Sequence, residues 1–343
     1  MMPNILFVGP VAQTGGPAIK NKILIEHLQK YTSLQIWNTY DKSLKSRLGA
    51  IGRILFSKQE YIIVAVSRKG RNLLYPFLLL RQKFSGCHFS CIVIGGQAVG
   101  SFKNKSSIRA LHQADVVTVE TEGLKAQMEE AYCLKNVHWM PNYKEMKDGI
   151  PCVKSGDFEK PVLKMLFLSS MRDLKGVRTL FEAFLKCRAK GLQIELDYFG
   201  PLKDDFDRGL LTEIEKTEAV RYCGPADNDK VLSVMKQYQM FVFPTEYPHE
   251  GFPAVLVEAL SVGLPVIASD INYNGEIIKD GKNGYIFQHG NVAELAERIE
   301  YCYSHTDELE KISKSNIENA KKYNAATVID SYMMVLRKVG WPI

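Results

Sequence analysis

Short apolar runs rich in Val, Ile and Phe alternate with longer amphipathic stretches along most of the chain, the pattern of βα units wound into a mostly parallel sheet. In the first half these runs predict strands at Ile5–Val8, Leu34–Trp37, Tyr61–Val66, Phe89–Ile94, Val116–Val119 and Val137–Met140. Helical periodicity fills the gaps at Pro17–Lys30, Leu44–Phe56, Asn72–Phe84, Ser107–His112 and Thr121–Tyr132. Pro17 sits near a first helical turn, where its missing N–H is no loss.

The pattern lapses from Asn142 to Lys160, a stretch of little apolar content that holds Gly149, Pro151 and Gly156 and runs up to Pro161. That composition predicts an interdomain linker over about 146–160. A second βα series follows, with strands at Val162–Leu168, Ile194–Phe199, Val220–Cys223, Met240–Pro244, Val266–Ser269 and Tyr285–Phe287, and closing helices near Val292–His305, Asp307–Tyr323 and Ala325–Val339. Two doubly wound domains are expected, with a cleft between the carboxyl ends of their sheets for a ligand.

Length and composition fit this reading: 343 residues, 46% hydrophobic and 24% charged, exclude a disordered, collagen-like or disulfide-stapled chain. The N-terminal run Asn4–Val8 is too short for a secretory h-region, and the longest apolar stretch, Leu73–Leu80, is far too short to span a bilayer. Seven scattered cysteines without a Cys-x-x-Cys point to reduced, cytosolic thiols. Cys87-His88-x-x-Cys91 reads as small buried side chains around a strand, because no second ligand pair follows at zinc spacing. Charge adds something new. The net +6 divides into +10 over residues 1–150 and −4 over 151–343, and between Lys42 and Arg109 there are 13 basic residues and one acid, Glu60. The first half is expected to meet an anionic partner.

The densest chemistry lies in Phe243-Pro-Thr-Glu-Tyr-Pro-His-Glu-Gly-Phe-Pro-Ala-Val-Leu-Val-Glu258. A strand ends at Pro244, a loop carries Glu246 and Glu250, and a helix begins near Pro253, so Glu250 precedes the helix and Glu258 lies within it. A helix N-terminus presents N–H groups to phosphate, and Gly251 lets a ligand approach the backbone. With a diphosphate there, Glu250 could accept from hydroxyls on one side and Glu258 from a ribose on the other. Spacing alone fits equally well an ordinary helix carboxylate and a solvated loop acid. A second segment, Leu168-Ser-Ser-Met-Arg-Asp-Leu-Lys-Gly176, places Arg172 and Lys175 after the first strand of the second series, where they suit a leaving diphosphate or simply a solvated loop. Gln13-Thr-Gly-Gly-Pro17 is a glycine turn after the first strand of all.

Taken together these residues resemble glycosyltransferase family 4, the retaining sugar-nucleotide transferases of GT-B fold. The resemblance covers nearly the whole chain: Glu250-x7-Glu258, Lys175-Gly176, Gly15-Gly16, Pro141-Asn142 and Gly263-Leu-Pro-Val266 fall in the family's order. Phe-Pro-Thr-x-Tyr, Glu-Gly-Phe-Pro and Asn272-Tyr-Asn274 look like bacterial members that build surface polysaccharides. The resemblance implies two Rossmann-like domains facing across a cleft, an acceptor-side domain over 1–145 and a nucleotide-sugar donor domain over 161–324, with a C-terminal helix from about 325 to 343 packed back on the first. It implies catalytic roles for Glu250, Lys175 and Arg172, with Lys175 on the donor diphosphate and Glu250 on the sugar hydroxyls. Gly251, Phe252, Pro253 and Ala254 would meet phosphates and sugar, Glu258 the ribose, and Ser170 and Thr245 would complete the donor side. Gly15, Gly16 and Gln97 would line the acceptor side. Two positions depart from the family. Ser170 stands where an Arg is often found, leaving Arg172 to replace it, and Ile94-Gly-Gly-Gln97 stands where many members have a His, so Gln97 is left a positioning role without acid/base chemistry.

The implied reaction moves a sugar from a nucleoside-diphosphate sugar to a glycan or polyprenyl-linked acceptor, with no metal and no other cofactor. The mixed aliphatic, aromatic and basic segments Leu44–Phe56 and Leu73–Phe84 suggest an anionic membrane surface as partner, through Lys45, Arg47 and Arg53, on the inner face of the cytoplasmic membrane. No nucleic-acid recognition motif is present. A GT-B-fold nucleotide-sugar epimerase and a non-catalytic GT-B subunit are the alternative readings.

Overall fold

The computed structural model describes residues 4–13, 15–41, 43–102, 104–146, 153, 158 and 161–343. The chain divides into two units, Met1–Glu145 with Tyr323–Ile343, and Met146–Lys322. The segment expected as a linker lies outside the described residues apart from Met146, Val153 and Phe158, as do Thr14, Lys42, Lys103 and Cys152.

In the first unit, β1 (Asn4–Gly9), β2 (Ser33–Asn38), β3 (Tyr61–Val66), β4 (His88–Val93), β5 (Val116–Val119) and β6 (Val137–Trp139) form a parallel sheet in the order β2-β1-β3-β4-β5-β6. Ile5, Leu6, Phe7 and Val8 are all fully buried, which is why the strand reads as a continuous apolar run instead of an alternating one. The connecting helices are α1 (Gly16–Leu28), α2 (Leu44–Phe56), α3 (Arg68–Ser85), α4 (Lys105–Gln113) and α5 (Glu122–Tyr132). The final helix, α13 (Ala325–Lys338), belongs to this unit. Its Val328, Ile329, Tyr332, Met333 and Leu336 join the core of Ile5, Phe7, Ile23, Leu24, Leu28, Ile63 and Ile92. Hydrogen bonds anchor it and the residues that follow: Tyr332 Oη donates to buried Ser90 Oγ at 2.8 Å, and Trp341 Nε1 to Asp115 Oδ2 at 3.0 Å.

The second unit repeats the plan with β7 (Leu163–Leu168), β8 (Ile194–Phe199), β9 (Val220–Tyr222), β10 (Met240–Phe243), β11 (Val266–Ser269) and β12 (Gly284–Phe287) in the order β12-β11-β10-β7-β8-β9. Its helices are α6 (Val177–Ala189), α7 (Arg208–Lys216), α8 (Val231–Met235), α9 (Ala254–Ser261), α10 (Asn274–Ile277), α11 (Val292–Ser304) and α12 (Thr306–Ala320). Successive strands step outward from β7 to β9, and the chain then returns to place β10 on the other side of β7. The order therefore reverses between β7 and β10, and ligands of open parallel sheets bind at the carboxyl ends of the strands beside such a switch point. Among the described residues no helix is long and apolar enough to cross a membrane.

Candidate functional site

The loop after β7 and the loop after β10 meet at this switch point. From β7 the chain passes Ser169, Ser170 and Met171 into a single 3₁₀ turn, Asp173–Lys175, and then through Gly176 into α6. Gly176 has φ +71°, and a Cβ there would lie 1.9 Å from the Pro244 carbonyl oxygen, so the approach of the two loops depends on a residue without one. The Glu246 N–H donates to the Leu174 carbonyl at 2.9 Å, and Thr179 Oγ1 to Glu246 Oε1 at 2.6 Å, stitching the loops together.

This brings Lys175 Nζ into close contact with Glu250 Oε2. The Lys175 and Glu250 side chains are 14% and 18% exposed, so the pair is largely withdrawn from water yet reachable. Thr245, fully buried, directs Oγ1 at the same Glu250 oxygen over 3.4 Å. The Lys175 ammonium also lies 4.8 Å from the centroid of the Tyr247 ring. Tyr247 is held through its main chain, its N–H donating to Thr245 Oγ1 and its carbonyl accepting from Asn272 Nδ2 and the Glu250 N–H. Half-buried Gly251, buried Phe252 and buried Pro253 then lead into α9, which no side chain caps; in its first turn the Pro253 carbonyl accepts from the Leu256 N–H at 3.1 Å. Ala254 opens α9 and half-buried Glu258 lies in its middle.

Of the sequence-predicted donor-side residues, the structure thus gathers Lys175, Glu250 and Thr245, with Gly251–Ala254 continuing from them. Ser170 is half-buried at the end of β7. The Arg172 side chain is turned to Asp205, Nε to Oδ1 3.3 Å, while its carbonyl accepts from the Lys175 N–H at 3.0 Å. Tyr247 was given no site role in the sequence, where it appeared only as the last residue of Phe-Pro-Thr-x-Tyr.

In the first unit Gly15 and Gly16 are exposed at the start of α1, which again has no side-chain cap. Gln97 is exposed on the loop after β4. Buried charge holds that loop. Glu120, directly after β5, accepts from the Gly95 N–H at 3.0 Å and from Lys20 Nζ of α1 at 2.9 Å, with the Lys20 and Glu120 side chains 3% and 7% exposed. Arg71 donates to the carbonyls of Ile94 and Gln97, at 2.8 and 3.3 Å, and to Ser101 Oγ at 3.1 Å. Burial lowers the affinity of that guanidinium for its proton. The basic run between Lys42 and Arg109 is therefore not wholly a surface: Arg71 is 1% exposed and serves the loop, and Arg81 caps the Leu55 and Ser57 carbonyls. Cys87 and Cys91 are buried, and His88 stacks on Tyr61 and bonds Asp115.

Residues 153–322 match the family described as glycosyl transferases group 1. The chain is 27% identical over 164 residues to a phosphatidyl-myo-inositol mannosyltransferase of Mycobacterium leprae, covering 44% of each protein. It is 28% identical over 131 residues to the capsular polysaccharide biosynthesis glycosyltransferase CapM of Staphylococcus aureus, covering 37% of this chain and 33% of CapM. The chain spans less than half the length of the curated relatives it matches. Among solved structures, Anabaena Alr3699/HepE in complex with UDP superposes with a TM-score of 0.76 at 15% identity, over 98% of this chain and 100% of that one. The paired six-stranded parallel sheets are those of GT-B glycosyltransferase structures.

Proposed function

We propose, from the match of residues 153–322 to the glycosyl transferases of group 1, that the chain is a retaining glycosyltransferase. It moves a sugar from a nucleoside-diphosphate sugar to a glycan or lipid-linked acceptor in cell-surface polysaccharide synthesis. The observation that carries this reading is the Lys175–Glu250 pair at the switch point of the second sheet, directly before the uncapped N-terminus of α9. A fixed cation, a carboxylate and a helix N-terminus together suit a sugar joined to a diphosphate.

In this reading Lys175 and the α9 N–H groups bind the diphosphate and stabilise the charge that grows on it as the anomeric carbon–oxygen bond breaks. The acceptor hydroxyl attacks the anomeric carbon from the face the diphosphate leaves, and its proton passes to the departing diphosphate oxygen. Glu250 accepts from sugar hydroxyls and Glu258 from the ribose, while Gly251–Ala254 shape the path of the phosphates. Ser170 and Thr245 line the same side. Arg172, engaged with Asp205, contributes to the diphosphate only on leaving that partner. Gly15, Gly16 and Gln97 serve the acceptor. In this reading the reaction needs no metal.

A membrane surface is the proposed site of work. On α2 only Ala50 and Ile54 are buried, while Leu44, Leu48 and Phe56 are 71%, 59% and 82% exposed among Lys45, Arg47 and Arg53. An apolar ridge with flanking cations suits an anionic bilayer. On α3 the apolar residues Leu74, Tyr75 and Leu78 go to the core instead.

Incubating the purified chain with UDP-, GDP- and ADP-sugars in EDTA and following nucleotide release tests the assignment. Turnover is expected, and Lys175→Ala and Glu250→Ala should each reduce it at least a hundredfold while the fold is retained. Near-normal rates in both variants sink the assignment, and activity lost in EDTA and restored by magnesium refutes metal independence. Co-sedimentation with phosphatidylglycerol vesicles should fall when Lys45, Arg47 and Arg53 are neutralised, and unchanged co-sedimentation removes the membrane from the proposal.

A further inference from the structure

We propose that Glu250 competes with a bound diphosphate for Lys175, so that the pair favours a nucleoside diphosphate that carries a sugar over one that has lost it. The inference rests on the reading of the site as a nucleotide-sugar site. Two side chains meet Glu250 at one carboxylate oxygen: Lys175 Nζ and Thr245 Oγ1 converge on Oε2. The ammonium therefore has an anionic partner on one side and the Tyr247 ring, 4.8 Å away, on another. In a pocket where both charged side chains are less than one-fifth exposed, this pairing is screened far less than a surface ion pair.

A diphosphate set on Lys175 brings negative charge beside the Glu250 carboxylate, and like charges that close oppose each other. The two ligands differ in what offsets this cost. A nucleotide sugar supplies hydroxyl donors, and a carboxylate that has given up its ammonium takes them in charge-assisted hydrogen bonds. The bare diphosphate supplies none and meets an uncompensated carboxylate. Glu250 thereby holds the donor and loosens the product left after transfer. Tyr247 keeps the ammonium in place in both states, because its attraction to the ring does not require the carboxylate, and its main chain is pinned at Thr245 and Asn272.

The test is isothermal titration of the purified chain with UDP, GDP and ADP and with their glucose esters, in wild type, Glu250→Gln and Glu250→Ser. Removing the charge is expected to tighten the bare diphosphate about tenfold and to leave the sugar ester unchanged or weaker, so the preference for the sugar-bearing form collapses. Lys175→Ala should weaken the bare diphosphate more in the Glu250→Gln background than in wild type. Wild-type binding without tightening in either folded Glu250 variant overturns the competition while leaving the nucleotide site standing. If none of the six compounds binds wild type, both this inference and the site reading fall.

Discussion

Gly176 shows how much of the site hangs on one missing methyl. Its φ of +71° is the left-handed conformation, and the position a Cβ would take is 1.9 Å from the Pro244 carbonyl oxygen and 3.0 Å from the Pro244 Cβ. Gly176→Ala therefore combines the left-handed penalty, about 1–2 kcal/mol, with a clash against backbone that cannot rotate away. A destabilisation of roughly 3 kcal/mol or more is expected in urea unfolding, with loss of nucleotide binding as the two loops part. Gly281 separates the two effects: it has φ +69° with nothing within 4 Å of its virtual Cβ, so Gly281→Ala should cost only about 1–2 kcal/mol. Equal costs would remove the close approach from the explanation. The Lys175-Gly176 pair was legible in the sequence as part of a basic loop after a strand and as one of the motifs of the resemblance. Its reason was not, because the opposing carbonyl is far along the chain and comes near only through strand order. The same holds for Arg172, whose type and place suited a diphosphate but whose side chain is drawn to Asp205.

Strands were the most legible elements, since a parallel strand buried on both faces writes an unbroken apolar run, as Ile62–Val66 does. Helix starts were less so. The expected helix at Asn72 begins at Arg68, because the polar run Arg68-Lys69-Gly70-Arg71 looks like a solvated loop while Arg71 in fact turns inward to hold the loop after β4. Glu120 hid in the same way: it follows a strand where a polar residue commonly marks the return to solvent, and its partner Lys20 is a hundred residues earlier. Two buried charges fixing one short loop give the element its own prediction. Glu120→Ala leaves the Lys20 ammonium buried and unpaired, and should cost about 3–5 kcal/mol. Lys20→Met combined with Glu120→Leu removes both charges and should recover most of that loss, leaving the unsatisfied Gly95 N–H, about 1–3 kcal/mol. A double variant no more stable than Glu120→Ala in chemical denaturation would show that the ion pair is not what holds α1 to the loop.

On the scale of the whole molecule, the order of the βα units was readable, whereas the strand order β12-β11-β10-β7-β8-β9 was not, and it is the reversal at β7 and β10 that makes neighbours of the two site loops. Both units also lock away acidic protons, and this makes the fold sensitive to alkali. Burial pushes the Cys91 thiol in the first unit up to about 12 and the Cys187 thiol in the second up to about 11. Burial likewise carries the phenols of Tyr75, Tyr143 and Tyr198 well above their ordinary range. The folded chain keeps protons that the unfolded chain sheds from thiols near pH 9.0 and phenols near 10.0. Above that range the unfolded state binds fewer protons, so stability falls with rising pH. The contribution of these groups is fully present below about pH 9 and is lost as pH climbs through 9 towards 12, at about 1.4 kcal/mol per pH unit for each group in its window. Melting temperatures should accordingly be flat between about pH 7 and 8.5 and drop steeply by pH 10.5. Because each unit holds such groups, both should lose stability together. A melting temperature at pH 10.5 equal to that at pH 8 would mean that these side chains ionise in place, and that the cores around Cys91 and Tyr198 admit water.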